Sequence, residues 1–221
     1  MLEGEVTFGL GPERERVVAA AGTLVLVPAC LIHSFDNDGP AEARFLNIHA
    51  PSGDFVKGLR SQGPWDTHDP PADGGRPVSD VVVCGPGEGD TLALGPNSLV
   101  FKAEVDDGDG TFYMSELTLA PGFQGPVPHT HERHLDSFFV LDGTLTVRLG
   151  DDRVEAPAGS YAVAPPGSVH TFSNPGESTV QALNIMGPAG FEQYLKEAAA
   201  AGATDPAELA KIASRYDFKP A

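Results

Sequence analysis

Apolar and polar residues alternate in short runs along most of the chain. Between Thr144 and Leu149 every second residue is apolar, at 145, 147 and 149, as expected for a strand with one buried face. The Asp142-Gly143 pair before this run predicts a tight hairpin turn. Similar runs predict strands at Glu5–Leu10, Thr23–Val27, Arg44–Ile48, Val81–Cys84, Thr91–Leu94, Leu99–Val105, Thr111–Leu119, Phe138–Leu141 and Thr144–Leu149.

Two stretches break this pattern. Residues Ser61–Arg76 contain many Gly and Pro residues without periodicity, which predicts a linker or a long surface loop, and Trp65 is expected to pin it onto a barrel. Phe191–Ala200 predicts a helix that stops near Gly202, and Asp205 predicts the N-cap of a second helix. These helices are expected to cover a barrel face and to carry no catalytic residue.

One sixteen-residue frame occurs twice, as Gly22–Asn37 and Gly159–Asn174. Gly, Pro, His, Phe and Asn recur at the same places, so that His170 of the second copy corresponds to His33 of the first. Self-similarity of this length indicates two copies of one structural unit. Cys30 stands where the second copy has Gly167, so we expect it to be a small buried residue.

Composition and charge narrow the class of protein. The chain has 221 residues and a formal net charge of −17, which argues against nucleic acid as a partner because phosphate binding needs a basic surface. No apolar run reaches the roughly 18 residues of a membrane helix, and no signal segment is evident. We therefore expect a cytoplasmic protein without a membrane partner, with Cys30 and Cys84 reduced.

A cluster of metal-binding residue types accompanies the second copy. His129 and His131 are two apart, so their imidazoles lie on the same side of a strand. Asp136 follows after a short turn, and His170 belongs to the repeated frame. Three imidazoles and one carboxylate suit a divalent transition metal such as Fe, Mn, Ni, Co, Cu or Zn.

The residues around these ligands resemble the two sequence motifs of the cupin superfamily. The first runs from Gly122 through His129, His131 and Asp136 to Gly143, with one extra residue before His129. The second coincides with Gly159–Asn174. The resemblance implies an all-β fold, a duplicated cupin jelly-roll β-barrel with C-terminal helices. It also implies a metal held by the residues at His129, His131, Asp136 and His170.

The carboxylate departs from the family pattern, in which a glutamate is usual. Asp136 is shorter by one carbon–carbon bond, about 1.5 Å. It therefore reaches the metal only after a shift of the strand or through a bridging water, or else it supports a site of three histidines. His134 could substitute as a ligand, but we expect it to be an exposed histidine of the turn.

The first copy lacks the ligand-bearing stretch. Leu2–Gly4 aligns with Leu141–Gly143, so nothing in the chain corresponds to His129, His131 or Asp136. His33 is left as a single imidazole, expected to be hydrogen-bonded inside a barrel, and His49 is expected to be structural. The missing strands indicate either a start codon assigned too late or a degenerate half-barrel. Two full copies at the spacing of His33 and His170 would need a longer chain than this one, which favours loss of material.

The expected domain organisation follows from this difference between the two copies. Residues 1–60 form a partial, N-terminally truncated cupin repeat without metal ligands, 61–79 a linker, 80–188 a complete cupin barrel with the metal site, and 189–221 a C-terminal helical segment. One metal per chain is expected. The open end of the first copy should be covered by a neighbouring subunit, by residues 61–90 or by the second barrel, and a homodimer is the preferred solution.

Three function classes remain open. The two repeats with a helical segment resemble the quercetin-dioxygenase-like cupins, which implies a metal-dependent dioxygenase acting on a small oxygenated substrate, aromatic or enol, with Asp136 as catalytic base. The alternatives are a non-enzymatic cupin that binds a small molecule or metal, and a sugar or keto-acid isomerase or epimerase. The aromatic residues expected near the site, most of them in the core, are Phe112, Tyr113, Phe123, Phe138, Phe139, Tyr161 and Phe172.

Overall fold

The computed structural model describes residues 1–50, 80–202 and 205–221. The chain divides into two compact units, one of Met1–Glu88 with Asp106–Thr111 and one of Gly89–Val105 with Phe112–Ala221. The predicted linker 61–79, including Trp65, lies outside the described residues.

The first unit contains five described strands and one turn of 3₁₀ helix at Gly108–Gly110. The strands are β1 (Glu5–Leu10), β2 (Glu15–Ala20), β3 (Leu24–Leu26), β4 (His33–Asp36) and β5 (Val82–Cys84). β1 pairs antiparallel with β2 and with β4, and β3 pairs antiparallel with β5. Part of the predicted covering segment 61–90 therefore contributes a strand to this unit.

Among the wrong predictions for the first unit are a strand and a buried cysteine. Arg44–Ile48 is not a strand: Arg44 makes a single bridge to Glu3, and the next residue, Phe45, packs its ring edge-on against Phe35. Cys30 is exposed rather than buried and has a φ of 67°. It occupies the left-handed turn position that Gly167 occupies with a φ of 81°, so the turn conformation, and not burial, relates the two residues.

The second unit contains eleven described strands in two antiparallel sheets. The strands are β6 (Thr91–Leu94), β7 (Asn97–Ala103), β8 (Tyr113–Leu119), β9 (His129–Thr130), β10 (Leu135–Asp142), β11 (Thr144–Leu149), β12 (Asp152–Pro157), β13 (Tyr161–Ala164), β14 (His170–Ser173), β15 (Val180–Gly187) and β16 (Lys219–Pro220). One sheet has the order β13-β10-β15-β8-β7-β6 and the other β12-β11-β14-β9-β16. The expected all-β architecture is confirmed for this unit.

The core of this unit draws on side chains from both sheets. Phe138 and Val140 of β10 are buried together with Leu145 and Val147 of β11, because the apolar positions of each strand share one face. The alternation seen in the sequence of β11 thus places its apolar side in the core.

Two helices follow the last long strand, at Glu192–Ala200 and Pro206–Ala213. The first ends before Gly202, which has a φ of 59°, and Asp205 has the extended backbone of an N-cap residue, as predicted. The buried Glu192 carboxylate accepts backbone N–H groups of Gly190 and Val105. None of the helices in the described residues is long and apolar enough to cross a membrane.

Candidate metal centre

Three backbone stretches of the second unit bring the predicted ligands together. His129 in β9 is directly opposite His170 in β14. His131 follows β9, and Asp136 is the second residue of β10. The approach to β9 depends on Gly125, whose φ is 80° and where a Cβ would lie 1.8 Å from the Phe172 carbonyl oxygen, so a residue with a side chain could not take this path.

The four side chains form one buried cluster. A ligand atom from each of His129, His131, Asp136 and His170 lies within 4.8 Å of all the others. The ring centroids of His129 and His170 are 4.4 Å apart, and those of His131 and His170 are 5.2 Å apart. All four residues are buried, at 1–4% exposed surface. The Asp136 carboxylate therefore reaches the cluster despite its short side chain.

Hydrogen bonds to carbonyl groups orient the three imidazoles. Nδ1 of His129 lies 2.9 Å from the Val127 carbonyl oxygen, and Nδ1 of His170 lies 2.9 Å from that of Ser168. Nδ1 of His131 bonds to the Asp217 carbonyl oxygen. Because a carbonyl oxygen only accepts, each Nδ1 must carry a proton, which leaves Nε2 as the ligand nitrogen.

Asp136 is held from two sides. Its Oδ1 accepts a hydrogen bond from Nδ2 of Asn184 at 2.6 Å, and its Oδ2 lies 3.2 Å from Nε2 of His170. Burial acts to lower the pKa of His170, but the hydrogen bonds to Asp136 and Ser168 raise it above its ordinary value.

The other two imidazoles are held in the neutral form that binds metal. Burial lowers the pKa of His129 to about 4, and the neighbouring imidazoles His170 and His131 act in the same direction. Burial also lowers the pKa of His131. Neutral imidazoles at neutral pH suit a cation, since a metal ion must compete with protons for these nitrogens.

Two orphaned atoms lie in or beside the cluster. Nε2 of His131 and Nε2 of His134 are buried and have no hydrogen-bonding partner in the described part of the chain. A buried polar atom left unpaired is costly, and a metal ion bound by His131 would satisfy Nε2 of that residue. Three imidazole nitrogens and a carboxylate form a donor set for a borderline divalent ion. These residues therefore fit a divalent metal ion.

Sequence reasoning missed two residues beside the cluster. His134 was expected to be exposed, but it is buried at 5% exposed surface, and its Nδ1 lies 2.6 Å from Oδ2 of Asp217. Asp217 also accepts the backbone N–H groups of Glu132, Arg133 and His134. Burial opposes ionisation of Asp217, but these bonds hold its pKa well below the usual range. No sequence motif links Asp217 to a turn so far back along the chain.

The aromatic surroundings also differ from expectation. Phe191 packs edge-on against His131 with centroids 4.7 Å apart, and Phe218 stacks on His129 at 4.4 Å. Neither residue was among the rings expected near the site. Of that predicted set, Tyr113 and Phe138 are core residues as expected, whereas Tyr161 is 54% exposed.

The first unit holds no comparable cluster among its described residues. His33 is exposed, which corrects the expectation that it lies inside a barrel, although its Nδ1 does bond to the Leu31 carbonyl oxygen at 2.9 Å. It is exposed because β4 is the outer strand of its sheet in the described part of the unit. His49 is exposed as well.

Comparison with known proteins finds a family match around this centre. Residues 115–186 match the Cupin domain family, a range that contains His129, His131, Asp136 and His170. Quercetin 2,3-dioxygenase of Bacillus subtilis (strain 168) is 26% identical over 110 residues, which is 50% of this chain and 32% of that protein. The chain thus spans about a third of the length of this curated relative.

Two solved structures also match part of the chain. KdgF from Halomonas sp. is 20% identical, with 47% of this chain and 90% of that chain covered and a TM-score of 0.41. A Cupin 2 conserved barrel domain protein from Salinispora arenicola CNS-205 is 18% identical, with 57% and 91% covered and a TM-score of 0.38.

Proposed function

We propose that the chain is a metal-binding cupin protein and that His129, His131, Asp136 and His170 hold one divalent transition metal ion. The observation that carries this proposal is the buried cluster itself, in which four ligand atoms from three separate stretches converge within 4.8 Å. Burying four polar side chains in one place is unfavourable unless they are paired, and a cation pairs all of them at once.

Elemental analysis of the purified protein tests the proposal. We expect close to one metal ion per chain, and we expect the double variant His129→Ala/His131→Ala to retain none after dialysis. The matched control is His33→Ala/His49→Ala, which removes two exposed histidines of the first unit and should leave the metal content unchanged. Two tightly bound ions per chain, or full retention by the first variant, would contradict the proposal.

A second candidate function is a metal-dependent dioxygenase for a small oxygenated substrate. The similarity to the Bacillus subtilis quercetin 2,3-dioxygenase favours it over the other classes. A bound metal would supply a centre that coordinates the substrate oxygen and O₂. Asp136 would act as the base that takes the substrate proton, and Asn184, which donates to Oδ1, would orient its carboxylate.

Oxygen uptake over a panel of flavonols and other enols tests this second function. Protein loaded separately with Fe, Mn, Ni, Co, Cu and Zn should consume oxygen with at least one metal and one enol, and Asp136→Asn should abolish the uptake. If the loaded protein consumes no oxygen with any member of the panel, the dioxygenase function is wrong and the proposed metal binding is unaffected.

A further inference from the structure

The segment from residue 216 to residue 221 lies directly against the strand that carries His129. Lys219 and Pro220 form β16, which pairs antiparallel with Thr130 and His129 of β9. The Ala221 N–H donates to the Pro128 carbonyl oxygen at 2.9 Å. Backbone hydrogen bonds therefore hold this segment, which we call the 216–221 segment, beside the candidate metal centre.

Within this segment, Asp217 holds the turn that separates two of the predicted ligands. Its Oδ1 accepts the N–H of Glu132 at 2.7 Å, and its Oδ2 accepts those of Arg133 and His134 at 2.8 and 3.1 Å. Three successive backbone donors thus converge on one buried carboxylate. The conformation of the turn from His131 to Asp136 depends on this carboxylate, because these donors would otherwise be unpaired.

The same residue determines which nitrogen of His131 is free. The Asp217 carbonyl oxygen bonds to Nδ1 of His131, and as an acceptor it requires the proton on Nδ1. The lone pair of His131 then lies on Nε2, the atom that is buried without a partner. Asp217 acts on His134 in the same way through its carboxylate, at 2.6 Å from Nδ1.

The neighbouring residue acts on a third imidazole. The Phe218 ring stacks on that of His129, with centroids 4.4 Å apart and planes inclined by 22°. Phe218 also lies 6.2 Å from the His131 ring centroid. Consecutive residues of the 216–221 segment therefore contact both histidines of the His129-Thr-His131 pair.

We propose that the 216–221 segment belongs to the metal centre and positions its imidazoles. Asp217 is the positioning residue that fixes His131 in the tautomer that binds metal. This inference rests on the proposed metal-binding function. Because the segment and the metal act on the same imidazoles, their binding is coupled: the docked segment raises metal affinity, and bound metal holds the segment in place by the same factor.

Zinc titrations of the full chain test the positioning role. Asp217→Asn keeps the backbone carbonyl that bonds to His131, but it puts an amide nitrogen among the N–H donors of Glu132, Arg133 and His134. The turn and that carbonyl should then shift, so we expect zinc affinity to fall about 10–100-fold. The matched control is Arg215→Gln, a substitution two residues before Asp217. It breaks the ion pair between Arg215 and Glu197 and should leave the zinc affinity unchanged. A folded Asp217→Asn protein, judged by its circular dichroism, that binds zinc like the wild type would overturn the proposal.

Hydrogen exchange on the wild-type chain tests the coupling without any substitution. Addition of zinc should slow exchange at the amides of Glu132, Arg133 and His134 and at Ala221 by about tenfold or more. Unchanged exchange in zinc-loaded protein would overturn the proposal even if Asp217→Asn failed to fold. A wild-type chain that takes up no zinc at all would instead show that the proposed metal-binding function is wrong.

Discussion

The two copies of the repeated frame fold alike but have different surroundings. In the first unit Leu10 of β1 is opposite His33, and in the second Leu149 of β11 is opposite His170. The β1–β2 and β11–β12 pairs run in the same way, from Glu5 opposite Ala20 and from Thr144 opposite Pro157.

Even the side-chain hydrogen bonds repeat. Asn37 donates from Nδ2 to the Ala41 carbonyl oxygen, and Asn174 donates to that of Ser178, in both cases four residues on. Both histidines bond through Nδ1 to the carbonyl two residues earlier. These shared local geometries support our proposal that the two are copies of one unit.

The difference lies in what packs against each copy. His170 is 1% exposed and is opposite His129, because β14 has β9 as its second neighbour. His33 is exposed, since β4 has only β1 beside it in the described part of its unit. The comparison teaches that the frame supplies one oriented imidazole, and that only neighbouring strands turn this imidazole into part of a cluster.

The largest effect should come from removing the frame histidine of the second copy. We expect His170→Ala to lower zinc affinity by more than about 100-fold, beyond the range of residues that merely support a ligand. His33→Ala should leave the affinity unchanged. Competition titration with a chelator measures both, and equal losses in the two variants would show that the copies are not functionally distinct.

The frame asparagines should differ in stability rather than in metal binding. Asn174 is buried, and its Nδ2 lies within 3.1 Å of the carbonyl oxygens of Leu119, Ala120 and Ser178. Asn174→Ala should lower the free energy of unfolding by about 3 kcal/mol, whereas the exposed Asn37→Ala should cost less than about 1 kcal/mol. Denaturant unfolding of the metal-free variants checks this, and similar costs would contradict the burial argument.

Substitutions of Asp136 test whether its carboxylate binds the metal. If the carboxylate binds the metal, Asp136→Ala should weaken zinc binding, while Asp136→Glu should preserve or strengthen it because a carboxylate is kept. If it only supports the histidines, the longer side chain should crowd the cluster, and alanine should be the milder change, about 10–100-fold. Zinc titration of both variants separates these outcomes, and we expect the first.

Low pH should abolish the contribution of the Asp217 carboxylate to the free energy of unfolding. Its pKa is lower in the folded chain than its ordinary value of 3.8, so its stabilisation is present above that value and declines as the pH falls below it. In metal-free protein at pH 7, Asp217→Asn should lower the free energy of unfolding by about 2 kcal/mol. This difference should shrink below pH 3.8; a difference independent of pH would mean that its charge is irrelevant.

The weakest expected effect is self-association through the first unit. Val18, Ile32 and Phe35 are 60%, 41% and 47% exposed there, and β4 is an outer strand in the described part of that unit. A homodimer remains our prediction, because soluble proteins cover such edges and apolar faces. Light scattering at micromolar concentration should give a doubled mass that Ile32→Asp reduces to the monomer, and a monomeric wild type would end the idea.

Much of the fold could be predicted because its signals are local. The alternation at 144–149 and the helix signals around Gly202 and Asp205 depend on neighbours within a few residues, and the structure confirms them. The prediction at Arg44–Ile48 is wrong because a strand also needs a partner along its length, and Arg44 makes only one bridge.

By itself the sequence determined the four candidate ligand residues and their spacing. His129 and His131 share a side because alternate residues do, and His170 was found through the repeat. The tertiary structure alone decided that Asp136 reaches these imidazoles, that His134 is buried, and that Asp217 joins them. The physical reason is separation along the sequence. The spacing of nearby residues indicates which side chains share a strand face, whereas contacts between distant residues depend on how the chain folds back.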